Sequence, residues 1–459
     1  MKKYFLAIAS FFIYSHISLG QVYPGQMDST FVPVRSHHYD PELTFDFCVN
    51  EPAWSNQAGI HSAFGSTDRL YFRKEVPVNH DNDLSSSYST TVWRGERANA
   101  QILVWSSEAL EQVRVSTQDL RSAEGNIIPK DRITFELVRY VLSNYPYAEK
   151  KAICGESPYK SGFLMPDRFE TLDRFDLPSQ TTRPVWMMVD VPRGTVPGTY
   201  KGQVEVRAKG KAPQLLNLEI VVQNQLLPYP KDWKYRLDLW QNPWAVAWYN
   251  HVEPWSPEHK MLLKQHLKHY ADAGGTYITT YGVHSPWSDN SYMIEGGMIE
   301  WIKKADGTWA FDYKIFDEYV ELAMECGIDE AITLYTPIPW GFRHRYKDEA
   351  TGNYSYINWA PSSEEFKKMW NIFLTDFKFH LEAKSWLDIT YIGINENPME
   401  ETLAAINVVR NHDKCWKITY AGNWHKELDG LLDDYSFLYG EEPTIAEQKA
   451  RAATGRTST

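Results

Sequence analysis

Beyond Leu226-Leu227-Pro228-Tyr229-Pro230 the chain settles into one rhythm, a short apolar run, a polar break, an amphipathic stretch, then another short run. Strand-like runs lie at 235–240, 276–281, 330–335, 388–394, 417–421 and 435–439. Between them, Phe316, Tyr319, Val320, Ala323 and Met324 recur at helical spacing, as do Phe366, Met369, Trp370, Phe373 and Phe377. Ser256 and Pro257 mark a helix start, Gly274-Gly275 its end, and Ala305-Asp306-Gly307 a hairpin turn. Strict strand–helix alternation without an internal repeat demands a parallel sheet, expected here as a TIM-type (β/α)8 barrel. Such a barrel takes about 250 residues and eight strands. Six strands, a last helix over 444–453 and the approach to a seventh strand at 456–459 are readable, so the barrel is expected to be incomplete at its C-terminal end.

The rest divides as 1–20, a signal peptide; 21–225, a β-sandwich domain; 226–234, a linker; and 235–459, the barrel domain. Lys2 and Lys3 precede an apolar run, and Ser18 and Gly20 sit three and one before a cut at Gln21, which implies an exported protein, periplasmic or secreted. Short alternating runs over 21–225, broken by Gly, Pro, Asn and Asp, read as sandwich strands, with an irregular segment before residue 85. Pro197-Gly198-Thr199-Tyr200 is a turn feeding a strand. A net charge of −12 argues against nucleic-acid or anionic-membrane partners, and no later stretch is long and apolar enough to span a bilayer. Four cysteines, Cys48, Cys154, Cys326 and Cys415, are too few for a disulfide scaffold. A Cys48–Cys154 bridge stays open, with buried free thiols the favoured reading.

The chemistry is sought where a barrel puts it, at the carboxyl ends of strands. Tyr391-Ile392-Gly393-Ile394-Asn395-Glu396-Asn397-Pro398 is a buried strand that stops at an amide and a carboxylate and turns into a helix. The plain alternative is an Asn397 helix cap beside a solvated Glu396. Other strand ends carry Trp240 to Trp244, His284 to Trp287, Trp340, Arg343, His344, Trp359, Asn423-Trp424-His425 and Tyr439-Gly440-Glu441-Glu442. With 18 Trp and 28 Tyr in the chain, a cleft of Trp, Tyr, Asn, His and Glu suits a neutral polyhydroxylated ligand. The candidates for holding it are Trp340, Trp424 and Tyr439 as stacking platforms, and Arg343, His344, Glu441 and Glu442 as polar contacts. No phosphate loop, nucleotide fingerprint or zinc-type spacing is present, so no cofactor or metal is implied. Glycoside hydrolysis, with a Glu protonating the leaving oxygen, is the most economical chemistry.

Several motifs carry a family resemblance. Trp93-Arg94-Gly95-Glu96-Arg97-Ala98-Asn99-Ala100-Gln101, the turn into Val204 and Val206, Trp340-Gly341-Phe342-Arg343, the Asn395-Glu396-Asn397-Pro398-Met399-Glu400 stretch, and Leu438-Tyr439-Gly440 with Pro443 resemble the bacterial β-N-acetylgalactosaminidases of glycoside hydrolase family 123. The resemblance implies a retaining mechanism in which the substrate's own 2-acetamido oxygen attacks the anomeric carbon. It makes Glu396 the general acid/base and puts Asn395 where the family carries a stabilising Asp. That departure implies a weaker enzyme. Two rivals stand beside it. One is an ordinary retaining barrel glycosidase whose nucleophile is Glu441, Glu442 or a residue of a later strand. The other is a carbohydrate-binding protein without catalysis. The expected partner is a glycan or glycoconjugate.

Overall fold

A computed structural model describes residues 51–77, 84–143, 163–234, 236–287, 296–438, 440 and 442–458. The segment 1–20, Cys48, Cys154, Tyr439 and Glu441 therefore lie outside the described residues. The chain divides into two compact units between Leu227 and Pro228.

The first unit is made of strands. A five-stranded antiparallel sheet runs in the order His61–Gly65, Arg97–Ser106, Thr181–Asp190, Ile133–Ser143, Phe163–Glu170. A second sheet is built on Ser87–Arg94, Gln214–Leu226, Gly198–Arg207, Leu110–Thr117 and Phe175–Leu177. Alternation sends Leu216, Leu218, Ile220 and Val222 of one strand inward, where they meet Ile102, Val104, Val185 and Met187 of the other sheet in a single core. His61–Gly65 pairs with Arg97–Ser106, so order begins well before residue 85, earlier than the irregular segment expected there.

The second unit alternates as its sequence rhythm requires. Six parallel strands lie in chain order: Tyr277–Tyr281, Ala331–Tyr335, Thr390–Ile394, Lys417–Gly422, Asp434–Phe437 and Thr457–Ser458. Ahead of them the 235–240 run contributes one parallel bridge, Leu237 to Gly275, and no full strand among the described residues. The helices Pro257–Asp272, Lys314–Glu325, Glu364–Lys384, Met399–His412 and Ile445–Ala453 fill the crossovers. Ser256 accepts from His259 N at 3.2 Å and Ser363 from Phe366 N at 3.1 Å, while Thr444 and Glu447 form a reciprocal capping box. No helix among the described residues is long and apolar enough to cross a membrane.

Two excursions leave the parallel sheet and build a four-stranded one of their own, Trp309–Asp312, Glu300–Lys303, Arg343–Asp348 and Tyr354–Asn358. Its inner face buries Trp301, which meets Phe311 at 5.0 Å, Phe373 at 4.8 Å and Trp370 at 5.6 Å between ring centroids. Much of the tryptophan content is therefore core. Cys326 is buried and free, but Cys415 is free and exposed in the turn where its N–H donates to Asp413, so the expectation of buried thiols is corrected there.

Candidate active site

The Thr390–Ile394 strand is walled in on both faces, and its neighbours Ala331–Tyr335 and Lys417–Gly422 run parallel on either side. Asn395 follows at once and is 3% exposed, whereas Glu396, one residue on, is exposed. Asn397 does not cap the helix that starts at Met399. Its Nδ2 donates to the Ile338 carbonyl at 3.1 Å and its own carbonyl accepts from Thr402 Oγ1 at 3.1 Å, so it ties the turn to the preceding strand-end loop.

Aromatic rings close around Asn395. Trp287 Nε1 donates to Asn395 Oδ1 at 2.5 Å. Trp287 stacks on Trp240 at 5.2 Å and 22°, meets Tyr281 edge-on at 5.2 Å, and lies 5.1 Å from Tyr335. Tyr335 needs the absent side chain of Gly393, since a Cβ there would sit 2.8 Å from its Cδ1. Asn395 Nδ2 remains buried with no hydrogen-bond partner. An amide N–H left bare in such a place is costly unless a ligand takes it.

Glu396 leans over the end of the Lys417–Gly422 strand. A Cβ on Gly422 would lie 2.5 Å from Glu396 Oε1 and 2.8 Å from Tyr420 Oη, so carboxylate and phenol share the space above a bare glycine. Burial, reinforced by the Glu396 carboxylate, pushes the Tyr420 phenol well above its ordinary value. Burial pushes Tyr435 up to about 12, with Glu396 a lesser contributor. The Tyr435 hydroxyl donates to the Asn423 carbonyl at 2.6 Å and accepts from His425 N at 2.8 Å, clamping the loop that carries Trp424.

The candidate residues separate accordingly. Trp424 is half-buried, its ring 5.3 Å from Tyr435 and 5.5 Å from Phe437, on the Glu396 side. Trp340 is half-buried, with its backbone N–H donating to the Pro286 carbonyl at 2.9 Å, one residue before Trp287. Arg343 is exposed and stacked 3.7 Å from the Tyr356 ring, in the four-stranded sheet. Glu442 is exposed and accepts from Gly440 N at 2.9 Å.

His344 is corrected. At 2% exposed it sits among Trp301, Trp359 and Trp370, with Nδ1 3.1 Å from the Phe342 carbonyl and Nε2 accepting from Trp370 Nε1 at 3.2 Å, so no ring nitrogen is free for a ligand. The candidate set omits Trp240, Trp287, Tyr335, Tyr420 and Gly422. Trp240 and Trp287 fall in stretches expected at strand ends. Tyr335 pairs with Gly393, and Tyr420 with Ile394, so register alone would have placed both beside Asn395.

Residues 240–459 match the profile described as glycoside hydrolase 123, catalytic domain, and residues 64–208 match the glycoside hydrolase 123 N-terminal domain. A solved structure of a family 123 glycoside hydrolase from Clostridium perfringens, studied for glycolipid glycan hydrolysis, is similar at 25% identity and a TM-score of 0.77, covering 88% of this chain and 72% of that one. A family 39 glycoside hydrolase from Bacteroides cellulosilyticus aligns at 13% identity over 69% of this chain and 53% of that one, with a TM-score of 0.24, too low to carry an argument. No curated protein matches.

Proposed function

The chain belongs to glycoside hydrolase family 123, and from that premise we propose that it removes terminal β-linked N-acetylgalactosamine from glycans by a retaining mechanism assisted by the substrate's 2-acetamido group. The observation that carries this reading is the pair at the strand end, a buried amide beside an exposed carboxylate. One lone pair of Asn395 Oδ1 is taken by Trp287. The second accepts the acetamido N–H, which turns the acetamido oxygen toward the anomeric carbon, while Nδ2 donates to a sugar hydroxyl. Glu396 gives its proton to the leaving oxygen as the acetamido oxygen attacks. It then takes a proton from the water that opens the oxazoline, which returns the anomeric configuration.

An amide cannot balance charge on that intermediate as a carboxylate would. One such charge-assisted hydrogen bond is worth about 1.5–3 kcal/mol, roughly 10- to 100-fold in rate, so the enzyme is a slow one. Trp424 and Trp340 are the proposed stacking platforms, and the parallel sheet is read as the wall of a TIM-type barrel. Residues 1–20 direct export in the same reading.

The test is release of nitrophenol from the aryl β-galactosaminide carrying the acetamido group and from the plain aryl β-galactoside, with Glu396→Gln in parallel. Turnover of the acetamido substrate alone, lost in Glu396→Gln, is expected. Turnover of the plain galactoside would overturn the neighbouring-group mechanism.

A further inference from the structure

A cavity of about 710 Å3 opens in the second unit between the helices and the four-stranded sheet, and neither Asn395 nor Glu396 lines it. One wall is aromatic, with Trp244 and Trp255 edge-on at 5.4 Å between ring centroids. Two more ring contacts lead from this wall to the candidate active site. Trp244 lies 5.1 Å from Tyr281, Tyr281 meets Trp287 edge-on at 5.2 Å, and Trp287 donates to Asn395.

Trp255 is held there against its own backbone preference. Its φ is +66°, in the left-handed region that a bulky residue seldom enters. Buried His259 pins it, since Nδ1 accepts from Trp255 N at 2.8 Å while Nε2 lies 2.9 Å from the Pro243 carbonyl, which puts the ring proton on Nε2. Backbone strain fixed by its surroundings in this way collects at ligand-binding sites.

The facing wall is charged but balanced. Among the described residues, the lining carries four carboxylates and four Lys or Arg side chains, so it has no net charge. Glu300 accepts from the Tyr354 hydroxyl at 2.8 Å and stands 3.8 Å from Arg345, and Glu318 accepts from Lys260 at 3.2 Å. Burial, with Arg345 and Arg343 adding to it, holds His284 down at about 4, so its neutral ring offers one donor and one acceptor. Arg345 Nε remains buried with no hydrogen-bond partner.

These two walls narrow the ligand chemistry. A formally charged ligand of either sign meets a like charge in the same wall as its opposite and gains little. An apolar ligand would strip water from the charged wall and still leave Arg345 Nε bare. A neutral polyhydroxylated ring brings donors and acceptors together, and an apolar face for the tryptophans.

We propose that the cavity is a second sugar-binding subsite, one that takes a neutral sugar ring of the glycan the protein binds. This rests on the glycan-hydrolase reading above. The volume is that of a pocket for a small ligand. A sugar hydroxyl accepts from Arg345 Nε, others bond to Glu300 and the His284 ring, and the apolar face of the sugar lies toward Trp255.

Titration calorimetry of the full chain with galactose, galacturonate and galactosamine, at a pH where the acid is ionised and the amine protonated, varies only the charge on one ring. Galactose is expected to bind about tenfold more tightly than either charged analogue, and to lose about that factor in Trp255→Ala and in the exposed variant Lys347→Ala. Hydrogen exchange locates the binding, with galactose expected to slow Glu300–Lys303 and Arg343–Asp348 more than Thr390–Ile394. A charged analogue that binds as well as galactose, protection confined to Thr390–Ile394, no binding at all, or full affinity in both variants overturns the proposal. Turnover of the aryl β-galactosaminide reads the chemistry separately. Turnover without galactose at the cavity sinks only this subsite, and galactose there without turnover sinks only the proposed hydrolysis.

Discussion

Gly422 and Glu396 occupy each other's margin, because the Cβ that any other residue would place at 422 falls 2.5 Å from Glu396 Oε1 and 2.8 Å from its Cγ. Gly422 also holds φ at +155°, a backbone conformation that side-chain-bearing residues rarely adopt. Gly422→Ala should therefore push the Glu396 carboxyl aside. A displacement of about 1 Å at a proton-transfer group costs on the order of 100-fold in kcat, with KM changed far less. Steady-state kinetics on the acetamido substrate check this. Unchanged kcat in a folded Gly422→Ala would mean that Glu396 does not act from this position.

The Trp287–Asn395 bond makes a second, paired expectation. Asn395→Asp keeps the Trp287 donor and supplies the missing charge, so kcat should rise by roughly 10- to 100-fold. Trp287→Phe keeps the aromatic stack with Trp240 but strips the donor from Oδ1, and the loosened amide should lose about tenfold in kcat/KM. If Asn395→Asp brought no gain, the stabiliser role of residue 395 would be wrong, whatever Trp287→Phe did.

What the sequence makes legible here follows from range. The Thr390–Ile394 strand, its stop at Asn395-Glu396 and the helix after Pro398 are local, written in a run of β-branched and apolar residues and one proline. So are the helix at Glu364–Lys384, whose apolar stripe turns inward, and the caps at Ser256 and Thr444. The partner of Asn395 is not local, since Trp287 lies 108 residues earlier and nothing in its own neighbourhood marks it as a donor. The hairpin of Arg343–Asp348 and Tyr354–Asn358 reads as loop because its second strand has no buried face to print a period of two. His344 misleads for the same reason. Flanked by Arg343 and Arg345 it looks solvent-facing, yet in a strand the middle residue points the other way, here into Trp301 and Trp370.

The last helix offers a stability measurement independent of catalysis. Arg451 is 2% exposed and donates to the Thr457, Asp429 and Leu432 carbonyls and, at 2.9 Å, to Asp429 Oδ1, binding the Ile445–Ala453 helix to the final strand. Arg451→Met leaves three carbonyls and a carboxylate without this donor, which should cost about 3–5 kcal/mol locally. Hydrogen exchange at 445–458 should accelerate far more than in the first unit; protection unchanged at 445–458 would count against the tie.

His344 sets an acid limit on the second unit. Burial holds its pKa at about 4, below the ordinary 6.5, so the folded protein keeps the ring neutral where the unfolded chain would protonate it. The unfolded state thus binds the extra proton between those values, and stability falls as pH drops through 6.5 toward 4 while staying flat above about 7. A shift of that size is worth up to about 3 kcal/mol, several degrees in Tm for a unit this large. Burial lowers His259 too, and His284 to about 4, so both push the same way. His344→Gln can still donate to the Phe342 carbonyl and accept from Trp370 Nε1, yet cannot take up the proton. Its Tm should be somewhat lower at pH 7.5, and the fall from pH 6.5 to 4.5 should be shallower than in the wild type. A variant that kept the full wild-type slope would show that the acid sensitivity comes from elsewhere than this ring.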